Sequence, residues 1–178
     1  VEVVMSVKNV FDSIKENSTI IDVFMENQKK YMMMLSFAQE VLREASSLSP
    51  QDREMIAAYT SYLNGCRYCY GSHRFFAESL DAEIEVLDGG IQSTPNRLTP
   101  IFNLVEQLTK HPASMTNKLY DECYDAGFTQ DQVKDAVAVC AAFNFYNRIV
   151  EGHGVQENSE SWAPAAEQIN KVGYDQRH

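Results

Sequence analysis

No stretch of this 178-residue sequence is apolar for long enough to cross a bilayer. The longest unbroken apolar run, Ala136 to Phe143, has eight residues, against about 20 for a spanning helix. Positive charge is also scarce. Fifteen Lys and Arg face 25 Asp and Glu, a net charge of −10. A surface this acidic repels phosphate backbones and anionic lipid, so no nucleic-acid partner and no membrane partner are expected. The segment Val1–Lys15 carries Glu2, Lys8, Asp12 and Lys15 and lacks the long apolar region of a signal peptide, which makes the cytoplasm the expected compartment. Strand-type alternation is nearly absent, and so are Gly/Ser-rich linkers and low-complexity tracts. With 44% apolar residues the chain can bury a real core. One all-α domain, a bundle of antiparallel helical hairpins over 1–178, is the simplest reading. Its core spans about 20–155, and 156–178 form a docking tail. Only four cysteines are present, Cys66, Cys69, Cys123 and Cys140. In a reducing compartment a close pair among them points to metal or redox chemistry rather than to a structural staple.

Helical signals fill most of the chain. A first helix is expected at Val7–Lys15. A cap at Asn17-Ser18-Thr19 opens a long pattern to about Ala45, with a break near Lys29-Lys30. Ser49-Pro50-Gln51-Asp52 is a strong start, with a capping hydroxyl, a proline suited to the first turn and an acid at the positive end of the dipole. That helix should end at Asn64-Gly65, and another should run from near Cys66 to about Ser79. A short helix follows at Asp81–Leu87, ended by Gly89-Gly90. Thr94-Pro95 and Thr99-Pro100 bracket the start of the next, which ends near His111-Pro112. Ser114–Asp125 follows. Thr129 then caps a helix to about Val150 that is apolar nearly all round and therefore expected to be central. Asn158-Ser159 is placed as the cap of a last helix to Lys171, with Trp162 and Tyr174 docking the tail. At an offset of 80 residues Ser49 matches Thr129, Asn64 matches Asn144 and His73 matches His153, a sparse internal repeat.

The chemistry concentrates around Cys66-x-x-Cys69-x-x-x-His73, with Glu54 twelve residues upstream of Cys66. On a helix starting at residue 66, positions 66, 69 and 73 share one face. A thiol has an ordinary pKa near 8.5. A helix N-terminus and an adjacent imidazolium both lower it, and the thiolate is the nucleophile. A second thiol three residues away can close a disulfide. Glu54 lies eleven residues before Gly65 and His73 eight after it. At about 1.5 Å rise per residue they stand roughly 16 and 12 Å from the turn. If the two helices fold back on each other, the carboxylate and the imidazole are nearly level, and Glu54 can orient His73.

Zinc is the rival for the same residues, with Cys66, Cys69 and His73 as three ligands and Glu54 or His153 as the fourth. Three ligands on one short stretch of helix make an awkward tetrahedral cage. Cys123 and Cys140 lie on apolar helix faces and are read as core thiols. Asn144, Asn147 and Arg148 sit in an apolar helix and need hydrogen-bond partners if buried.

Two stretches, Leu48-Ser49-Pro50-Gln51-Asp52-Arg53-Glu54 and Asn64-Gly65-Cys66-Arg67-Tyr68-Cys69, with His73 after them, resemble the alkylhydroperoxidase D-like, carboxymuconolactone decarboxylase superfamily. Ala126-Gly127-Phe128-Thr129 and Phe143-Asn144-Phe145-Tyr146-Asn147-Arg148 resemble its closing helix, especially in the peroxidase-related branch. The likeness covers roughly 20–155. It implies an all-α homo-oligomer. It implies that Cys69 attacks a small-molecule peroxide, that Cys66 donates a proton and resolves the sulfenic acid, and that His73 and Glu54 relay protons. It further implies an external dithiol or redox protein as electron donor, and no cofactor. One departure is plain: peroxidase members are similar but carry a histidine where this chain has Tyr68. A decarboxylase-type reaction with His73 as base is a further alternative on the same scaffold, although that branch typically lacks the cysteine pair.

Overall fold

The computed structural model describes residues 10–88 and 96–175. Among these residues there are helices and turns but no strand, as the all-α reading requires. The helices are α1 (Ile20–Glu26), α2 (Gln28–Leu42), α3 (Pro50–Leu63), α4 (Arg67–Glu78), α5 (Glu85–Asp88), α6 (Thr99–Lys110), α7 (Asn117–Asp125), α8 (Gln130–His153) and α9 (Trp162–Val172). No helix among the described residues is long and apolar enough to cross a membrane.

Local chemistry explains most boundaries. At Thr19 both the backbone N–H and the hydroxyl donate to Asp22 Oδ2 (2.6 and 2.9 Å), which opens α1. Asn27 breaks the long pattern, two residues earlier than expected, and its side chain caps α2 by accepting from Lys30 N. Ser49 Oγ accepts from Asp52 N at 3.1 Å and Pro50 fills the first helical position, so α3 starts where the sequence signals it. Thr129 and Gln132 form a reciprocal capping box at the head of α8.

Four boundaries differ from expectation; one is α9, which starts at Trp162 after a 3-10 turn at Ser159–Ser161, with Ser161 rather than Asn158-Ser159 as its cap. Residues 7–9 lie outside the described residues, and 10–15 are bends and turns rather than helix. There Ile14 N bonds Phe11 O and Lys15 N bonds Ser18 Oγ, local bonds that compete with a helical ladder too short to sustain itself. The helix expected from Asp81 begins only at Glu85. Asp81 takes a left-handed φ of 63° and closes the end of the preceding helical run. Gly89-Gly90 and Thr94-Pro95 lie outside the described residues. The fourth difference is α7, which starts at Asn117 rather than Ser114. Pro112–Ser114 form one 3-10 turn, and extended Thr116 is the cap.

The apolar faces meet in one contiguous cluster around Phe24, Leu42, Ile56, Ile101, Phe102, Leu104 and Phe143, all essentially without solvent exposure. The most extensive pairing is α3 on α4, and α8 packs on α3, α6 and α2. α8 is central, as its composition predicts, although Phe145 on it stays 40% exposed. The internal repeat is not confirmed. The chain folds back after Asn64, whereas α8 runs unbroken through Asn144 to His153. Asn64 and Asn144 nevertheless touch, with Asn64 Nδ2 donating to Asn144 Oδ1 (3.2 Å) and to Asn147 Oδ1 (2.8 Å). Asn147 Nδ2 donates in turn to Ser61 Oγ at 2.9 Å. The polar residues of α8 thus find the partners that burial demands.

Candidate active site

The α3–α4 hairpin builds the site. Gly65 turns the chain at φ +71°, a left-handed conformation that glycine adopts without strain. Cys66 follows as the N-cap of α4, and Cys69 lies in the first turn. Both are free thiols and both are buried. The Cys66 thiol is pushed well above its ordinary range by its hydrogen bond to Cys69, then by burial and by the charge of Cys69. Cys66 therefore keeps its proton.

The fold-back also brings Glu54 level with His73, as the height argument requires. His73 Nδ1 and Glu54 Oε2 are 2.6 Å apart. Glu54 is fully buried, yet it is far from alone. Arg43 Nη1 lies 2.6 Å from Oε1, and the Tyr174 hydroxyl donates to the same oxygen at 2.7 Å. Burial raises the pKa of this carboxyl. The His73 charge and hydrogen bond, Arg43 and Tyr174 outweigh that, and hold it below the usual carboxylate range. The imidazole is walled by aromatic rings. Phe143 and Phe76 meet it edge-on at 4.4 and 5.3 Å, and Tyr174 stacks nearly parallel at 6.3 Å.

Cys69 and His73 both line a cavity of about 260 Å³, while Cys66 does not. The other walls are mainly apolar and aromatic, among them Phe24, Phe143, Tyr146, Trp162 and Ile169, with no Lys or Arg among the described residues. Gly71 makes room for one wall: a Cβ there would stand 2.4 Å from the Trp162 ring. Tyr68 lines the cavity too and accepts a hydrogen bond from Ile20 N at 3.2 Å, tying the cysteine motif to α1.

The remaining candidates lie elsewhere. His153 Nδ1 is spent on Ile149 O (2.7 Å), and its ring meets Phe11 and Tyr31. Cys123 and Cys140 are buried in the core as expected, and burial pushes Cys123 up to about 11 and Cys140 upward as well. Among the described residues no group of three or more His, Cys, Asp or Glu side chains could hold a metal ion, so the zinc alternative finds no ligand set there. Sequence reasoning missed Arg43 altogether and gave Tyr174 only a docking role. Arg43 looks like any basic residue closing a helix, and no periodicity links it to Glu54 across the intervening loop.

Residues 31–82, which hold Arg43, Glu54, both motif cysteines and His73, match the model of the carboxymuconolactone decarboxylase family. The chain is similar in fold to two solved structures. One is an uncharacterized peroxidase-related protein from Silicibacter sp. TM1040, with TM-score 0.73 and 21% identity over 79% of this chain and 76% of that one. The other is described as an alkylhydroperoxidase AhpD core, an uncharacterized peroxidase-related protein from Ralstonia eutropha JMP134. Its TM-score is 0.74, with 18% identity over 80% of this chain and 78% of that one. No curated protein matches the chain. The matched segment supplies Cys69 and His73 but fewer than half of the cavity-lining residues; Phe24, Phe143, Tyr146, Trp162 and Tyr174 all come from outside it.

Proposed function

We propose that this chain is a thiol-dependent peroxidase or disulfide reductase, with Cys69, Cys66, His73 and Glu54 as its reacting and proton-handling groups. The observation that carries the reading is the asymmetry of the cysteine pair. Cys69 opens on an apolar cavity that it shares with His73, and Cys66 lies behind it holding its proton. Glu54 orients the imidazole through Nδ1, which leaves Nε2 to take the Cys69 proton.

The Cys69 thiolate attacks one oxygen of a hydroperoxide. The O–O bond breaks, a sulfenic acid forms on Cys69, and the other oxygen leaves as an alcohol or water with a proton supplied through Cys66 or His73. The Cys66 sulfur then attacks the Cys69 sulfur, a disulfide forms and water leaves. An external dithiol, or a redox protein carrying one, returns two electrons and is itself oxidised to a disulfide. No cofactor enters these steps.

A decarboxylase-type reaction on a carboxylate-bearing lactone is less well supported, because among the described residues no Lys or Arg lines the cavity to receive the carboxylate. The peroxidase-related neighbours fit a small peroxide as substrate. The single-domain reading of 1–178 rests on the one contiguous core. A homo-oligomer accords with Met33 and Phe37, exposed one turn apart on α2.

The test is a thiol titration before and after one equivalent of peroxide, with mass spectrometry locating the bond. Loss of two thiols and a Cys66–Cys69 linkage supports the proposal. Four unchanged thiols, or a bond between other cysteines, overturns it.

A further inference from the structure

The two oxygens of Glu54 have different partners. Among the described residues Oε2 faces His73 Nδ1 alone, whereas Oε1 receives both Arg43 Nη1 and the Tyr174 hydroxyl. These donors come from separate parts of the chain, the end of α2 and the segment after α9. They also hold each other, because the Arg43 guanidinium lies 5.0 Å from the centre of the Tyr174 ring. Tyr174 is anchored independently: its backbone N–H donates to Gln39 Oε1 at 2.8 Å, and the neighbouring Asp175 is bonded to the Ser36 hydroxyl.

We propose that Tyr174 and Arg43 are positioning residues for the Glu54–His73 pair. By occupying Oε1 they leave Oε2 alone for the imidazole, fix which ring nitrogen is spent, and keep Nε2 available to the Cys69 thiol. A carboxylate has about four acceptor positions and can rotate about its last bond. With only one partner, Glu54 could meet His73 through either oxygen and at more than one ring tilt. Two charge-assisted or polar donors on the far oxygen remove that freedom. They also supply part of the counter-charge that a fully buried carboxylate needs, so this demand does not fall on the imidazole alone. The Tyr174 ring, nearly parallel to His73 at 6.3 Å, limits the tilt from the side. The other ionisable groups facing this cluster are Arg53 from α3, Cys69 from α4 and Tyr146 from α8. The phenol of Tyr146 is spent on Met34 O.

The inference rests on the peroxidase reading for its meaning, but its test does not need peroxide. The readout is the rate at which Cys69 reacts with iodoacetamide near neutral pH, followed by mass spectrometry, with thermal melts to confirm folding. Tyr174→Phe keeps the ring and removes the donor. It is expected to slow alkylation of Cys69 about five- to tenfold, less than the roughly ten- to hundredfold value of one hydrogen bond to a charged group because the effect reaches Cys69 through Glu54 and His73. Arg43→Gln is expected to slow it at least as much. Residues that act through a third lose their effect when that third is removed, so in a Glu54→Gln background neither change should alter the rate more than about twofold. Asn170→Ala removes the bond from α9 to Ser79 Oγ, leaves the bonds of Tyr174 and Glu54 in place, and should leave the rate within about twofold. A Tyr174→Phe rate within twofold of the parent overturns the proposal. So does a Tyr174→Phe effect undiminished beside Glu54→Gln, or an equal loss from Asn170→Ala. If Cys69 alkylates rapidly in the parent and yet no peroxide is consumed, the peroxidase reading falls and the positioning result still stands.

Discussion

The α3–α4 hairpin and α8 share a pattern of capped start, central asparagine and distal histidine, yet only the hairpin gathers reactive groups. The difference lies at one backbone position. Gly65 turns the chain back so that residues before and after it face each other. Eighty residues on stands Phe145, and α8 runs straight through it. His73 therefore meets Glu54 on the opposing helix, while His153 Nδ1 bonds its own helix backbone at Ile149 O and its ring meets Phe11 and Tyr31, with no acid opposite it among the described residues. The positions that match Glu54, Cys66 and Cys69 at this offset are Lys134, Tyr146 and Ile149, none of them a thiol or an acid. Capping and periodicity made both helices; the fold-back made one of them a candidate site.

The sharpest way to break this contrast is to remove the proposed nucleophile. Cys69→Ser should lower kcat/KM for peroxide by roughly three orders of magnitude. Cys66→Ser should retain one turnover and accumulate a sulfenic acid that dimedone traps. Full activity in both variants would leave the hairpin no more special than α8. Next comes the histidine comparison. His73→Ala should cost about a hundredfold in peroxide consumption, whereas His153→Ala should change it less than about twofold. Comparable losses at both positions would argue that α8 contributes to the chemistry after all.

A third expected effect concerns acid stability. Glu54 in the folded chain is held below its ordinary pKa of 4.5, so the unfolded chain binds the proton first. Its contribution is complete above that ordinary value and is lost as pH falls through the lowered one. Melting temperature followed from about pH 6 down to about pH 3 should drop more steeply for the parent than for Glu54→Gln. Parallel curves would mean that Glu54 does not carry this dependence.

The smallest effect belongs to the turn itself. At Gly65 nothing lies within 4 Å of an added Cβ, so Gly65→Ala meets strain in φ alone. It should cost roughly 1–2 kcal/mol, or a few degrees in melting temperature for a chain of this size. A neutral substitution would show that the hairpin does not depend on glycine there.

Much of the architecture was legible in one dimension. Caps, Pro at a first turn, Gly at a reversal and three- and four-residue spacing are local signals, and local hydrogen bonding obeys them. That is why α3, α4, α6 and the start of α8 fall where the pattern places them. Expectation failed where competing local bonds intervened, as between Ile14 and Ser18, or where one left-handed residue, Asp81, postponed a helix. The Glu54–His73 pairing was legible as well, because equal heights on a hairpin follow from helical rise.

Sequence by itself therefore determined the helices, the turn at Gly65 and the alignment of Cys66, Cys69, His73 and Glu54 about that turn, since each depends on neighbours a few residues away. Only the tertiary structure decided that Arg43 and Tyr174 would meet on Glu54 Oε1 and that Trp162 would wall the cavity. Those contacts join segments up to 120 residues apart. Such distances are closed by burial of apolar faces, a non-directional force that leaves no periodic trace in the chain.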